Sequence, residues 1–406
     1  MSGTGAHPVA RVFGMDLLRA LAITLVVVGH QAIFFLGTPV WDSLMRWGRI
    51  GVVGVDLFFV LSGFLIGGIL LGLAAELRAP RILLGFWISR WLRTLPSYYL
   101  FLLINLVIWL AFGLPPTSWK AISSYPFFLQ NFAHGITGFF PESWSLCVEE
   151  WFYLLFPLVL CLGLKKGGNF TRLYAVTAGA MVVGSVLFRS RLGPALDWDS
   201  RVNGVVLHKF DAIGLGVIAA LLARTYPLLW RKWRKVCLWG GVMLIAECYL
   251  YSVRVNLSAS LFGRALYPTF AAMGWALLLP AADAWRTAAP TRWVQGVVAI
   301  ARWSYSLYLT NFAISLLLFV QVRLRMPSGY GGVLLCEILF FGLSVGLSAA
   351  LYRHFERPFL DLRSRVGLCR ELARAGAPVI PPLATSPADG AANALPPTEA
   401  KGVKPS

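Results

Sequence analysis

Ten separate apolar runs organise this chain, at 17–36, 50–71, 95–113, 145–163, 173–188, 206–223, 237–252, 266–281, 304–322 and 332–352. Several reach about 17 to 22 residues, the length at which an α-helix crosses a hydrocarbon core of roughly 30 Å. Of the 406 residues 58% are hydrophobic and only 13% are charged, too few charges to clothe a water-soluble surface of this size. The alternating ten-residue strands of a membrane β-barrel are absent. The expected fold is therefore all-α and polytopic, with about ten transmembrane helices.

The net charge of +18 first suggests a nucleic-acid partner. Its distribution argues against one. With the N-terminus placed in the cytoplasm, the Lys and Arg residues divide as 25 inside and 11 outside. The clusters Arg78/Arg81/Arg90/Arg93, Arg231/Lys232/Arg234/Lys235 and Arg353/Arg357/Arg363/Arg365 all fall inside. That is the positive-inside bias, and it places both termini in the cytoplasm. Three domains follow: a cytoplasmic lead at 1–16, a ten-helix membrane domain at 17–360, and a tail at 361–406. The tail begins basic and becomes rich in Ala, Pro and small polar residues, as disordered segments are. The first apolar run has no small-residue cleavage site after it and reads as a retained helix. The six cysteines are scattered singly, which points to structural thiols and to no metal centre. The segment 114–144, with four prolines and many aromatics, reads as a packed loop or as a lid.

Ionisable residues inside these runs narrow the function, because at membrane depth they usually face a polar interior and do chemistry or move ions. His30 lies about 20 Å along the first run, which leaves it about 10 Å from the outer surface. Asp56 lies about 9 Å below that surface, and Glu149 and Glu150 about 6 to 8 Å below it. Three helices thus bring a histidine and carboxylates to one layer. A base with a carboxylate to orient it suits acyl transfer to a hydroxyl. The competing reading is a buried ion-pair network that locks helices together. Arg19, eleven residues before His30, returns to nearly the same helix face. Arg90 and Arg93, three apart, share a face and suit a phosphate, although arginines collect at cytoplasmic helix ends in any case. In Gly54–Gly67 the Gly63-x-x-x-Gly67 spacing is a helix-packing pattern, beside which Ser62 reads as a hydroxyl joining helices. Trp144 and Tyr153 suit an interfacial belt. Ser304–Asn311, with Tyr305, and Phe355-Glu356-Arg357-Pro358 flank the last two runs without specifying chemistry alone.

Taken together, Met15–His30, Asp56–Ile66, Arg90–Arg93, Trp144–Tyr153, Ser304–Leu309 and Glu356-Arg357-Pro358 resemble the integral-membrane acyltransferase family 3, from about residue 12 to 360. That family includes bacterial O-acetyltransferases of envelope polysaccharides and acylases of macrolides. The resemblance implies a ten-helix fold in the bacterial inner membrane and a cytoplasmic acyl-CoA donor, acetyl-CoA by expectation, with no permanently bound cofactor. It implies His30 as the key catalytic group and Arg90 and Arg93, with Arg19, as donor-binding residues. Asp56, Glu149 or Glu150 would orient the imidazole. The expected acceptor is a glycan or lipid-linked sugar in contact with membrane lipid; a macrolide-type metabolite is the alternative. A proton-coupled transporter or flippase is the rival from another class, disfavoured by the lack of an internal repeat. Many members carry a second histidine where this chain has Asn311, which cannot act as a base. No SGNH-type domain follows the membrane part, so the expectation is that the chain acts alone or hands its product to a separate periplasmic partner.

Overall fold

The computed structural model describes residues 12–41, 50–112, 117–136, 138–194, 196–287, 291–326 and 330–375. Among them every regular element is helical, and ten helical segments are long and apolar enough to cross a membrane. In chain order the long helices are α1 (Phe13–Gln31), α2 (Ile50–Gly72), α3 (Pro80–Phe112), α4 (Ser143–Lys165) and α5 (Phe170–Ser190). They continue as α6 (Val206–Thr225), α7 (Arg234–Arg254), α8 (Tyr267–Ala284), α9 (Arg292–Gln321) and α10 (Tyr330–Leu351). Two short helices close the described chain, α11 (Arg357–Arg365) and α12 (Gly367–Arg374). The lead before Val12 and the compositional tail from 376 lie outside the described residues.

Small residues decide how closely these helices approach. The tightest crossing joins α2 to α6. A Cβ on Gly63 would run into the Ile213 carbonyl oxygen, and one on Gly216 into the Val60 carbonyl oxygen. Where lipid is as apolar as leucine, close backbone contact of this kind drives association. Overpacking such a contact costs about 1–3 kcal/mol, so Gly63→Leu and Gly216→Leu should each lower the unfolding temperature in detergent. Gly68→Leu is the control, because nothing lies within 4 Å of a Cβ there. Equal melting of all three variants would refute this account of the crossing.

Around that pair, α1 packs on α2, α8 and α9, α5 packs on α6, α7 on α8, and α10 on α9. The faces of α3, α5, α7 and α10 turned away from the bundle carry exposed apolar side chains such as Leu103, Val176, Trp239 and Ile338. That is the surface a lipid environment demands.

Of the boundaries that differ from the sequence reading, three have a clear physical reason. α1 starts at Phe13, inside the expected lead, because Phe13 is fully buried between Trp285 and Trp293, at 5.3 and 5.2 Å between ring centroids. α3 begins at Pro80 rather than 95, since Arg90 and Arg93 depress the local hydropathy without interrupting the helix. Residues 361–374, assigned to the tail, continue as helix, and Cys369 and Leu372 bury their side chains. The segment 114–144, read as a packed loop or as a lid, is packed over its described residues. Phe139 and Phe140 are buried, Tyr98 donates to the Tyr125 carbonyl at 2.9 Å, and Trp151 donates to the Phe128 carbonyl at 2.8 Å.

Candidate active site

A cavity lies among α1, α2, α3, α4 and α9. Its walls are Arg19 from α1, Val55, Phe58, Phe59 and Ser62 from α2, and Arg90, Arg93 and Thr94 from α3. Ser145, Glu149 and Tyr153 enter from α4, and Ser304, Tyr305 and Tyr308 from α9. The arginines gather at the end where α1 begins.

Several polar wall residues are held by a helix across from them. Glu149 accepts from Ser62 Oγ at 2.6 Å and from Tyr153 OH at 3.0 Å. Tyr305 OH donates to the Thr94 carbonyl at 2.8 Å, and Thr94 Oγ1 donates to Glu150 at 2.6 Å. Arg19 lies 3.7 Å from Asp16, one turn earlier on α1. Arg90 is only 7% exposed, its Nε has no hydrogen-bond partner, and its guanidinium carbon stands 6.0 Å from the centre of the Phe86 ring. Among the described residues no carboxylate lies within ion-pair distance of Arg90 or Arg93. Two cations without a fixed counter-ion in a low-dielectric site are a receptor for an anion.

Tyr308 stands at the other end of the cavity. Tyr308 OH donates to the Glu142 carbonyl at 2.9 Å and shares a hydrogen bond with Ser145 Oγ at 2.6 Å, which bridges α9 to α4. One turn further along α9, Asn311 meets His30. The His30 ring is half-buried and lies outside the cavity walls, edge-on to Phe312 at 5.2 Å. Its Nδ1 is hydrogen-bonded to Asn311 Oδ1. The Asn311 amide donates to the Leu307 and Tyr308 carbonyls at 2.7 and 2.9 Å, so its oxygen is the atom turned towards the imidazole. An oxygen can only accept, so Nδ1 carries the hydrogen of the neutral ring and Nε2 is left with its lone pair.

This corrects the expected partner of His30. Asp56 turns instead to α6, where it forms an ion pair with Lys209 at 2.7 Å, and Lys209 also donates to Asn203 at 2.7 Å. Glu149 serves Ser62 and Tyr153, Glu150 serves Thr94, and neither touches the imidazole. Apolar periodicity gives the depth of a carboxylate but not the face it takes, and the amide reached His30 first. Of the other candidates, Arg19, Arg90, Arg93, Ser62, Glu149 and Tyr305 are brought to one cavity. Trp144 packs edge-on against Phe59 at 5.8 Å, and Glu356 accepts from Ser306 at 2.9 Å; both stand outside the cavity.

Four participants escaped the sequence reading. Thr94 and Tyr308 are polar residues beside recognised positions and gave no separate signal. Lys209 and Arg189 were not singled out from the sequence, yet both are buried. Arg189 lies 2.7 Å from Asp211, and both it and Asp211 are bonded to Thr269. The rule that singled out His30 applied equally to Lys209-Phe210-Asp211, at the start of the sixth apolar run.

A family model described as an acyltransferase domain matches residues 12–353. The peptidoglycan O-acetyltransferase OatA of Listeria monocytogenes is 28% identical over 258 residues, 60% of this chain and 39% of its own length. The O-acetyltransferase OatA of Staphylococcus aureus is 31% identical over 169 residues, 38% of this chain and 25% of its own length. The chain thus spans about two fifths or less of these relatives. No solved structure matches it.

Proposed function

The chain belongs to the acyltransferase domain family, and from that premise we propose that it is a bacterial inner-membrane O-acyltransferase. It moves an acetyl group from cytoplasmic acetyl-CoA to a hydroxyl of an envelope glycan or lipid-linked sugar. The observation that carries the reading is the His30–Asn311 pair above a cavity lined with arginines. With Asn311 accepting from Nδ1, Nε2 is free to take a proton.

The charge bias sets the arginine end of the cavity at the cytoplasm. There Arg90 and Arg93 hold the phosphates of the donor, and the thioester arm extends between Ser62, Glu149 and Tyr305 towards Tyr308. For the thioester to reach His30, the Tyr308 side chain turns away from Ser145. The acceptor hydroxyl gives its proton to Nε2 as its oxygen attacks the thioester carbonyl. The C–S bond breaks, and the leaving thiolate recovers the proton from the imidazolium, so that one ester and one free thiol leave the site. The glycan acceptor is supported by the names of the relatives, both O-acetyltransferases and one of peptidoglycan.

The test is release of free CoA from isotopically labelled acetyl-CoA by the purified protein in liposomes, with peptidoglycan fragments as acceptor and label followed into the glycan. Arg93→Ala should raise the donor KM by about 10- to 100-fold, the size of one charged hydrogen bond, with kcat little changed. A pH-driven solute flux in the same liposomes, with no thioester consumed, would replace this reading with a transporter.

A further inference from the structure

Arg90 and Arg93 are joined by a further cation, besides the Asp16-paired Arg19, that comes from the far end of the chain. α11 and α12 fold back onto α3, and α12 approaches Gly85 so closely that a Cβ there would meet the Leu368 carbonyl oxygen at 2.6 Å. The Cys369 thiol reaches the Gly85 carbonyl at 3.8 Å, and Cys369 and Leu372 are buried. Gly85 precedes Arg90 and Arg93 on α3 by about 7.5 and 12 Å of helix rise. Docking of α12 at Gly85 therefore holds α11 beside the arginine end of the cavity. α11 itself packs on α3, and Arg363, half-buried on it just outside the cavity walls, is near enough for its charge to be felt at Arg90 and Arg93.

Among the described residues, none of the three guanidiniums has a carboxylate within ion-pair distance. Glu149, Glu150 and Glu356 act on Arg90 or Arg93 only from further away. Like charges gathered in a part-buried site repel one another and are tolerated where an anion completes the group. The unpartnered Arg90 Nε, on a side chain only 7% exposed, marks where such an anion bonds. A lone carboxylate has too few oxygens to serve three planar donor forks from different directions; phosphate groups have enough, and the acyl-CoA reading supplies linked ones.

We propose that Arg363 is the third arm of a tripod with Arg90 and Arg93 that grips the linked phosphates of a nucleotide-type donor, with α11 and α12 as one wall of the donor site. This rests on the acyl-CoA reading above and adds to it a residue and a substrate requirement: the nucleotide phosphates, rather than the thioester, are what the C-terminal helices select.

The test compares acetyl-CoA with acetyl-pantetheine, which has the same thioester and arm but no phosphates, on the full chain in nanodiscs. For the wild type, kcat/KM should favour acetyl-CoA. Arg363→Ala should lower the ratio of the two kcat/KM values by about tenfold or more, the scale of one charged contact to phosphate. Arg363→Lys, which keeps the charge without the fork, should recover part of it. An unchanged ratio in Arg363→Ala would overturn the tripod and leave the acyl-CoA reading standing. Equal loss with both donors would also overturn it, by making Arg363 a structural residue. A wild type that turns over acetyl-pantetheine but shows no preference for acetyl-CoA would refute the donor reading itself.

Discussion

Replacing His30 with alanine should reduce acetyl transfer by about 10²- to 10⁴-fold, the usual contribution of a positioned general base. Donor affinity should hardly change, because the imidazole stands outside the cavity walls and its ring contacts are with Asn311 and Phe312. Asn311→Leu should give a smaller loss of the same kind, again in kcat and not in donor KM. Without the Oδ1 acceptor, the ring loses both its preferred tautomer and its orientation. The measurement is steady-state transfer of labelled acetyl, with both parameters determined for each variant. Retention of more than a tenth of the wild-type kcat in His30→Ala would remove His30 from the chemistry.

The second large effect concerns stability. The ion pair between Asp56 and Lys209 joins α2 to α6 at 2.7 Å, with Lys209 1% and Asp56 4% exposed. Removing one partner strands a buried charge, at a cost of about 3–5 kcal/mol. Lys209→Met and Asp56→Leu should therefore each give markedly lower unfolding temperatures in detergent. The double variant, which leaves no charge behind, should recover most of the loss. Thermal unfolding of the four proteins forms a double-mutant cycle. Simple addition of the two single losses would mean that the pair is not coupled. The transfer rate of the double variant adds a second readout: Asp56 lies away from His30, so activity should return together with stability.

How far the sequence could be read depended on what each signal measures. Helix number and type followed from apolar runs, which report exposure to lipid and need no knowledge of packing. The gathering of Arg19, Arg90, Arg93, Ser62 and Glu149 round one space was anticipated only as a set of functional positions. Spacing along a helix shows which residues share a face, but it does not show which neighbour that face meets. Asp56 illustrates this: its depth was legible, while its partner depended on the tight α2–α6 crossing that sets Lys209 opposite. Asn311 illustrates the converse. Judged as a base it looked like a loss, whereas in three dimensions a fixed amide oxygen supplies the orientation sought from a carboxylate. The C-terminal helices were hidden for a third reason. Arg363, Arg365, Arg370 and Arg374 make the segment too polar for an apolar run, and its docking relies on a few residues such as Cys369 and Leu372.

The Tyr308 bridge has a consequence for the cell as well as for the reaction. A protein that reaches a water-soluble donor on one face and a hydroxyl on the other is in danger of becoming a leak. Tyr308, hydrogen-bonded at once to Ser145 and to the Glu142 carbonyl, ties α9 to α4 one turn before the Asn311 that holds His30, and this bridge is where such a leak would have to be stopped.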